Sequence, residues 1–262
     1  MKHNNKILIS SSVKKDLKES IALAKELNVG VEISRLPIYK TPQLTLEQAI
    51  GILKDALNGF NNRITLHAMF SDVNIAGQDL LLREVSQKRL MQSFEVGKAL
   101  KVDTILFHTG NKGTKHSGSI YDFKKNFIAY WKEFIKEFEK ANITAVLENV
   151  FEDTPEFCYD LFEGINSPNL KLALDTGHVN LYAPKTNIID WINLYGENLY
   201  HMHIHNNFQT NDDHSNLQNG TLNFERILTT IKEKQLNPSF VFEMFTEEDI
   251  RKSLDYFNKL MF

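Results

Sequence analysis

Short apolar stretches alternate with longer amphipathic segments along the chain. The apolar stretches predict eight short strands, at Ile7–Ser10, Gly30–Ile33, Ile64–Leu66, Thr104–Phe107, Thr144–Leu147, Leu170–Leu174, Leu199–Ile204 and Phe240–Phe242. Between them, apolar residues recur every three or four positions, as at Leu17, Ile21 and Ala24, which predicts helices. Helices are expected on this basis at 17–27, 46–57, 84–100, 120–140, 155–163, 186–195, 223–234 and 246–260.

The regular alternation of strand and helix predicts an α/β protein with a parallel sheet. The strands show no strong inside-to-outside polarity alternation, as expected when both faces of the sheet are covered. Eight such units in roughly 250 residues match a closed (β/α)8 TIM barrel. An open doubly wound sheet is the alternative, but it would not bring many strand ends to one place. No linker or composition break is present, so we predict a single domain over residues 1–262.

Composition narrows the class of protein. The 262 residues are 42% hydrophobic and 24% charged, which is ordinary for a globular chain with a large core. The formal charge of −3 lacks the basic excess of nucleic-acid-binding proteins. Cys158 is the single cysteine, so no intrachain disulfide is expected, and a buried apolar role fits it best. No signal peptide or apolar run near the ~20 residues of a membrane helix is present, so we expect a cytoplasmic enzyme without a membrane partner.

Histidines and acids stand at the ends of six predicted strands. Five of these residues directly follow an apolar stretch: His67, His108, Glu148, Asp175 and Glu243. Parallel strands of a barrel direct their carboxyl ends toward one mouth, so these side chains should converge. The full set of candidate metal ligands is His67, His108, Glu148, Asp175, His178, His203, Asp212, His214 and Glu243.

Imidazole and carboxylate groups suit zinc, manganese and iron(II). Nine ligands exceed what one ion can use, and so many acids and histidines would destabilise one another without cations between them. We therefore expect two or three divalent metal ions, zinc first, with manganese or iron as alternatives. Singly, each position has a structural alternative: Asp175, followed by Thr176 and Gly177, could cap a helix instead.

Strand seven carries three alternating histidines that share one face: His201, His203 and His205. If His203 points into the barrel, His201 lies deeper as a supporting or core residue, and His205 lies nearer the rim, where it could contact substrate. Glu32, on strand two, is a further candidate for substrate binding or proton transfer. An ion pair with a neighbouring lysine or arginine is the alternative for Glu32.

At these residues the chain resembles the xylose isomerase-like barrel superfamily, which includes endonuclease IV and sugar phosphate isomerases and epimerases. The matching segments are Leu66-His67-Ala68, Phe107-His108-Thr109-Gly110, Leu147-Glu148-Asn149, Leu174-Asp175-Thr176-Gly177-His178, Met202-His203-Ile204-His205-Asn206, Asp212-Asp213-His214 and Phe242-Glu243. They cover most of the chain in the family's order.

The resemblance implies three groups of ligands, as in the three-zinc site of endonuclease IV. The implied groups are His67, His108 and Glu148; Glu148, Asp175, His203 and Glu243; and His178, Asp212 and His214. Sugar epimerases use only the middle group and lack the Asp-x-His pair, so Asp212 and His214 favour a site with several metals. Departures from endonuclease IV are Leu8-Ile9-Ser10-Ser11-Ser12 in place of its Gly-x-His, Gln218-Asn219-Gly220 in place of Gly-Glu-Gly, and Asn206 where Asp is frequent.

Two reactions fit these residues. The first is isomerisation or epimerisation of a sugar or sugar phosphate through a metal-stabilised enediolate, with Glu148 and Glu243 exchanging the proton. A Glu148 bound to two metals would be a poor base, which leaves it a structural role. The second is metal-assisted phosphoester hydrolysis, as in an abasic-site endonuclease, for which charge and strand one provide less support. A non-enzymatic barrel with structural metals is disfavoured because the ligands stand at the mouth.

A glycine-rich loop follows strand four, from Gly110 to Gly118. Its two lysines, Lys112 and Lys115, are candidates for binding a substrate phosphate. A solvated flexible loop is the alternative meaning of such a stretch.

Overall fold

The fold is a closed ring of eight parallel strands, seen in a computed structural model that describes residues 6–41, 43–112 and 117–261. The strands are β1 (Ile7–Ser10), β2 (Gly30–Ile33), β3 (Ile64–His67), β4 (Thr104–His108), β5 (Thr144–Glu148), β6 (Leu170–Asp175), β7 (Leu199–Ile204) and β8 (Ser239–Phe242). Each strand pairs with the next in the chain, and β8 pairs with β1. The predicted (β/α)8 TIM barrel is therefore confirmed, and the open sheet is excluded. A single domain over residues 1–262 stays a prediction.

Helices connect the strands around the outside. They are α1 (Leu17–Glu26), α2 (Pro37–Lys40), α3 (Leu46–Ala56), α4 (Leu80–Leu100), α5 (Ser117–Ala141), α6 (Pro155–Ile165), α7 (Thr176–Tyr182), α8 (Ile188–Tyr195), α9 (Phe224–Glu233) and α10 (Glu247–Met261). All the predicted helices are present, with ends shifted by a few residues. The short helices α2 and α7 were not predicted. The first five residues of α7 are buried, so it lacks the amphipathic pattern that marks the others. No helix in the described ranges is long and apolar enough to cross a membrane.

Four strands extend one residue beyond their predicted ends, and the added residue is a candidate ligand each time. Strand geometry shows that the side chains of three of these added residues point into the barrel. Leu106, Val146 and Ala173 form a small buried cluster separate from the main core. The residues two positions further along are His108, Glu148 and Asp175. Because side chains alternate along a strand, these three point to the same side as that cluster, toward the barrel interior.

The main core lies between the strands and the helices. Phe107 of β4 packs against Trp131 of α5, with ring centroids 5.1 Å apart, and against Phe138 at 5.7 Å. Both contacts are edge-on, the geometry that aromatic pairs prefer. This packing fixes β4 against α5 and thereby fixes the position of His108 at the end of the strand.

Candidate metal centre

All nine candidate ligands lie at the carboxyl-terminal mouth of the barrel. A cavity of about 280 Å³ is lined by eight of them: His67, His108, Glu148, His178, His203, Asp212, His214 and Glu243. Asp175 lies behind this lining and has no exposed surface. The structure thus brings together all nine residues that the sequence singled out.

Asp212 and His214 come from the long segment between β7 and α9. Asn206 and Ser215 hold this segment by a pair of backbone hydrogen bonds, 3.0 and 2.9 Å long. His214 has a left-handed backbone, with a φ of 48°, which turns the chain back toward the barrel. The Asp-x-His pair therefore reaches the mouth although no strand carries it.

His203 is the centre of the first group of ligands. Its Nδ1 lies 2.7 Å from Oε1 of Glu148 and 3.0 Å from Oε2 of Glu243. Oδ2 of Asp175 lies 3.7 Å from the same nitrogen. Three carboxylates from three different strand ends therefore surround one imidazole nitrogen, a donor set that suits a divalent cation.

Charges within this group shift its pKa values. Burial by itself lowers the pKa of His203, but the carboxylates of Glu148, Glu243 and Glu32 raise that pKa well above its ordinary value. Burial raises the pKa of the Glu243 carboxyl, yet His203 brings it down to about 2. His203 therefore holds a proton among ionised acids, and a bound divalent cation would replace that proton.

Glu148 has the surroundings of a bridging carboxylate. Its Oε1 faces His203, while its Oε2 lies 2.8 Å from Nε2 of His108 and 3.8 Å from Nε2 of His67. These neighbours are close but not aligned as hydrogen bonds, and both oxygens lack a hydrogen-bond partner among the described residues. A buried carboxylate without hydrogen bonds is costly unless it binds a cation. Oε1 faces His203 and Oε2 faces His67 and His108, so each oxygen has imidazole donors beside it with which it can bind a cation.

Asp212 joins two histidines into another group. Its Oδ2 lies 3.2 Å from Nε2 of His214 and 3.4 Å from Nε2 of His178. Its Oδ1 is buried without a hydrogen-bond partner in the described part of the chain. Burial lowers the pKa of both histidines, but the nearby acids raise it to about 10 for His178 and about 9 for His214. This group has the donors to hold a cation of its own.

Three of the candidate ligands are fixed by backbone carbonyls, which accept a hydrogen bond from Nδ1 of each imidazole. The pairs are His67 with Ala68 at 2.9 Å, His178 with Asn149 at 3.1 Å, and His214 with Glu243. The hydrogen bond on one ring nitrogen sets which tautomer is present and orients the other nitrogen toward the metal. These histidines therefore present Nε2 to the cavity.

Glu32 holds His203 by its Nε2 instead, which leaves Nδ1 of His203 facing the other candidate ligands. Oε1 of Glu32 lies 2.7 Å from Nε2 of His203, and Oε2 lies 2.9 Å from Nε2 of His201. Thr65 donates a third hydrogen bond, 3.0 Å long, to the same carboxylate. Glu32 has no exposed surface, and its partners are histidines rather than the lysine or arginine of the alternative, so its predicted contact with substrate stays a prediction. His201 lies deeper than His203, as the alternation along β7 predicted.

His205 is also fully buried, so no atom of it reaches the cavity where we expected it to contact substrate. Its Nε2 lies 3.1 Å from Oδ1 of Asp175, and its ring stacks on His214 with centroids 3.9 Å apart. His205 thus supports two of the candidate ligands from behind.

Asp175 caps a helix and also faces the candidate metal group. Its Oδ1 accepts a hydrogen bond of 2.7 Å from the backbone N–H of His178 and caps α7. Its Oδ2 faces His203. Asn149, which sequence reasoning did not single out, holds the Asp175 backbone through hydrogen bonds of 2.9 and 3.1 Å.

Lys112 of the glycine-rich loop lies close to the metal cavity. Lys112 lines a second cavity of about 360 Å³, which shares His108, His178 and Asp212 with the first. Its Nζ lies 3.2 Å from Oδ1 of Asp72, and both side chains are largely exposed. Lys115 lies outside the described residues.

Five residues that sequence reasoning missed also line the metal cavity: Ser12, Ser34, Arg35, Phe70 and Phe245. Phe70 packs against His67 and His108, with centroids 4.8 Å apart in each case, and Phe245 packs against His214 at 4.4 Å. Phe70 and Phe245 both lie shortly after the end of a predicted strand, and this position was the signal in the sequence that could have identified them as cavity residues. The rings shield one side of the candidate ligands from water.

Known proteins with this fold are numerous, and several are sugar epimerases. A D-tagatose 3-epimerase-like protein superposes with a TM-score of 0.83 over 98% of this chain and 97% of its own, at 24% identity. The TTHB071 protein from Thermus thermophilus, in a crystal soaked with ZnCl2, has a TM-score of 0.81 at 18% identity over 97% of each chain. A D-psicose 3-epimerase from Clostridium cellulolyticum H10, bound to D-tagatose, has a TM-score of 0.78 at 17% identity over 98% of this chain and 99% of its own. At these identities the likeness concerns the fold.

Sequence comparison finds a relative and a family that match the chain. An uncharacterised protein of Methanocaldococcus jannaschii, MJ1311, is 25% identical over 190 residues, which are 70% of this chain and 65% of that protein. The matched region thus spans just under two thirds of that relative's length. The family described as xylose isomerase-like TIM barrel matches residues 21–260. The chain belongs to this family of xylose isomerase-like TIM barrels.

Proposed function

We propose that this protein is a metal-dependent isomerase or epimerase of a sugar or sugar phosphate. The main support is that two carboxylates lie close to the same nitrogen of His203. Oε1 of Glu148, from β5, is 2.7 Å from His203 Nδ1, and Oε2 of Glu243, just after β8, is 3.0 Å from it. These two carboxylates and the imidazole define a position for a metal ion, and the more exposed carboxylate, Glu243, can move a proton of a substrate bound there. The sugar epimerases among the structures of similar fold support this choice.

Divalent ions would be held by the nine candidate ligands, and zinc is the metal we propose. When bound, such an ion supplies a Lewis acid that polarises neighbouring hydroxyl and carbonyl oxygens of the substrate. The donor set fits it: both oxygens of Glu148 and one of Asp212 are buried without hydrogen bonds in the described part of the chain.

Glu243 is the stronger candidate for the base that moves the substrate proton. Its side chain is 14% exposed at the cavity, whereas that of Glu148 is fully buried between two groups of histidines. Burial raises its carboxyl pKa, but His203 keeps that pKa at about 2, so Glu243 is ionised at neutral pH. In this proposal Glu243 takes the proton from the carbon beside the carbonyl and returns it to a carbon of the resulting enediolate, and Glu148 mainly holds and orients the metal group.

Proton transfer can be tested directly by solvent exchange. The zinc- or manganese-loaded protein is incubated with a panel of ketoses, aldoses and their phosphates in D₂O, and deuterium at the carbon beside the carbonyl is measured by NMR. We expect exchange and isomer formation for at least one sugar, and a loss of at least about 10²-fold in Glu243→Gln. No exchange for any member of a broad panel, with the metal bound, would count against the proposal.

Phosphoester hydrolysis is a second candidate because of one observation. Oδ2 of Asp212 lies 3.2 Å from Nε2 of His214 and 3.4 Å from Nε2 of His178, which adds donors beyond Glu148, Asp175, His203 and Glu243. Clustered metals can generate hydroxide and neutralise a leaving oxygen. Cleavage of abasic-site DNA that Glu243→Gln abolishes, together with three metals per chain, would favour this reaction over isomerisation.

A further inference from the structure

We propose that Arg35, with the hydroxyls of Ser12 and Ser34, forms a subsite for an anionic group of the substrate, a phosphate or a carboxylate. This inference rests on the proposed function and specifies its substrate class. All three residues line the cavity that holds the candidate metal ligands. They come from the segments that follow β1 and β2.

Arg35 is oriented by backbone carbonyls rather than by an acid. Its Nη1 lies 3.4 Å from the carbonyl of Lys14, and its Nη2 lies 3.2 Å from the carbonyl of Ser12. These contacts use two of the five N–H donors of a guanidinium group. The side chain is exposed, so the remaining donors are accessible to a ligand.

The basic side chains near the mouth differ in whether a carboxylate already balances them. Lys14 lies 2.7 Å from Oε2 of Glu247, and Lys112 lies 3.2 Å from Oδ1 of Asp72. Arg35 has no carboxylate within ion-pair distance among the described residues. A guanidinium without a bound acid is well suited to pair with a phosphate or carboxylate, to which it can donate two parallel hydrogen bonds.

The hydroxyls of Ser12 and Ser34 provide further hydrogen-bond donors on the cavity wall that Arg35 also lines. Ser12 Oγ lies 2.9 Å from Ser10 Oγ, and Ser34 Oγ lies 3.2 Å from Ser11 Oγ. Hydroxyls in such a chain can rotate to donate outward, so Ser12 and Ser34 can add hydrogen bonds to an anion beside Arg35.

The charges of the other lining residues argue against an anion site elsewhere at the mouth. Besides its histidines, the metal cavity is lined by the acids Glu148, Asp212 and Glu243, with Arg35 as the one arginine or lysine among its described lining residues. In the neighbouring cavity, Lys112 stands with Asp72 and Asp212. An anionic end directed toward Arg35 leaves the neutral hydroxyl and carbonyl end of a sugar beside the metal group.

Binding of inorganic phosphate to the metal-loaded protein tests the subsite independently of any reaction. Calorimetry would compare the natural chain with Arg35→Ala, Arg35→Lys and the control Lys14→Ala, a nearby lysine that is already paired. We expect at least a tenfold loss of affinity in Arg35→Ala, a smaller loss in Arg35→Lys and a change below twofold in Lys14→Ala. Undiminished binding in Arg35→Ala would assign the anion to the metals and overturn the inference. A loss in Lys112→Ala in place of Arg35→Ala would also overturn it.

Matched sugars then identify the source of the anion. Ketoses, their terminal phosphates and hexuronic acids are compared for KM and kcat in the natural chain and in Arg35→Ala. A rise in KM for one anionic class alone, with neutral sugars unaffected, identifies phosphate or carboxylate as the group bound. Turnover of neutral sugars with no Arg35-dependent preference would reject the subsite and keep the proposed function. Phosphate binding that depends on Arg35, without turnover of any sugar, would reject the proposed function and keep the subsite.

Discussion

Replacing Glu32 by glutamine should weaken metal binding although Glu32 lies outside the metal group itself. The carboxylate is fully buried and holds Nε2 of both His201 and His203. Burial raises its carboxyl pKa, but the two histidines bring that pKa well below its ordinary value, so Glu32 is an anion. Glutamine keeps the shape, removes the charge and turns one of two acceptors into a donor.

The size of the effect follows from the hydrogen bonds. An amide cannot accept N–H donors from both histidines, so one of them must change its tautomer or lose its partner. Nδ1 of His201 is buried and without a hydrogen-bond partner in the described structure, so moving its proton there leaves an unpaired N–H that costs about 1–3 kcal/mol. Losing the oriented partner of a ligand histidine lowers metal affinity about 10- to 100-fold. That range corresponds to about 1.4–2.7 kcal/mol.

The assay is competition for zinc or manganese against a chromophoric chelator at pH 7, with thermal unfolding as a check of the fold. Glu152→Gln is the matched control, because Glu152 is another buried carboxylate, bound by Thr109 and by the backbone N–H of Val150, outside the metal group. We expect its metal affinity to change less than threefold. A folded Glu32→Gln protein that binds metal as tightly as the natural chain would refute the reasoning.

Further predictions concern the backbone at α7, the number of metals and the effect of pH. A Cβ at Gly177 would lie 2.0 Å from Cε1 of His205, so Gly177→Ala should lower the free energy of unfolding by about 1–3 kcal/mol. Gly51→Ala, with open space around its Cβ, should instead raise it by about 0.4–1 kcal/mol, and equal effects in chemical denaturation would contradict the clash. Asp212→Asn should remove one metal ion per chain by elemental analysis, whereas one ion per natural chain would disprove a site with several metals. His214 has a pKa raised to about 9, so below pH 9 a metal must displace its proton, and metal affinity should rise with pH between 6 and 8; a flat profile in chelator competition would exclude this linkage.

Much of the fold was predictable because it depends on local patterns. Apolar runs bounded by helical periodicity identified all eight strands, and the histidines and acids at strand ends identified six of the nine residues that meet at the mouth; His178, Asp212 and His214 follow two of these strands in the chain and match the motifs of the family. Parallel strands in a closed ring place their carboxyl ends together whatever their loops do. The helix α7 escaped prediction because its residues are buried around much of its circumference.

The tertiary structure alone decided how the polar residues divide into layers. The alternation along β7 placed His201, His203 and His205 on one face, but it could not tell that Glu32 would reach across the barrel to two of them. Nor could it tell that His205 would be covered by His214, or that Arg35 would stand at the cavity without a carboxylate at ion-pair distance among the described residues. Such pairings join strands and segments far apart in the chain, so only the closed barrel sets their distances. The sequence by itself determined which candidate ligands gather at the mouth, because strand ends of a barrel converge, and the packing decided which polar residues face the cavity and which hold those ligands in place.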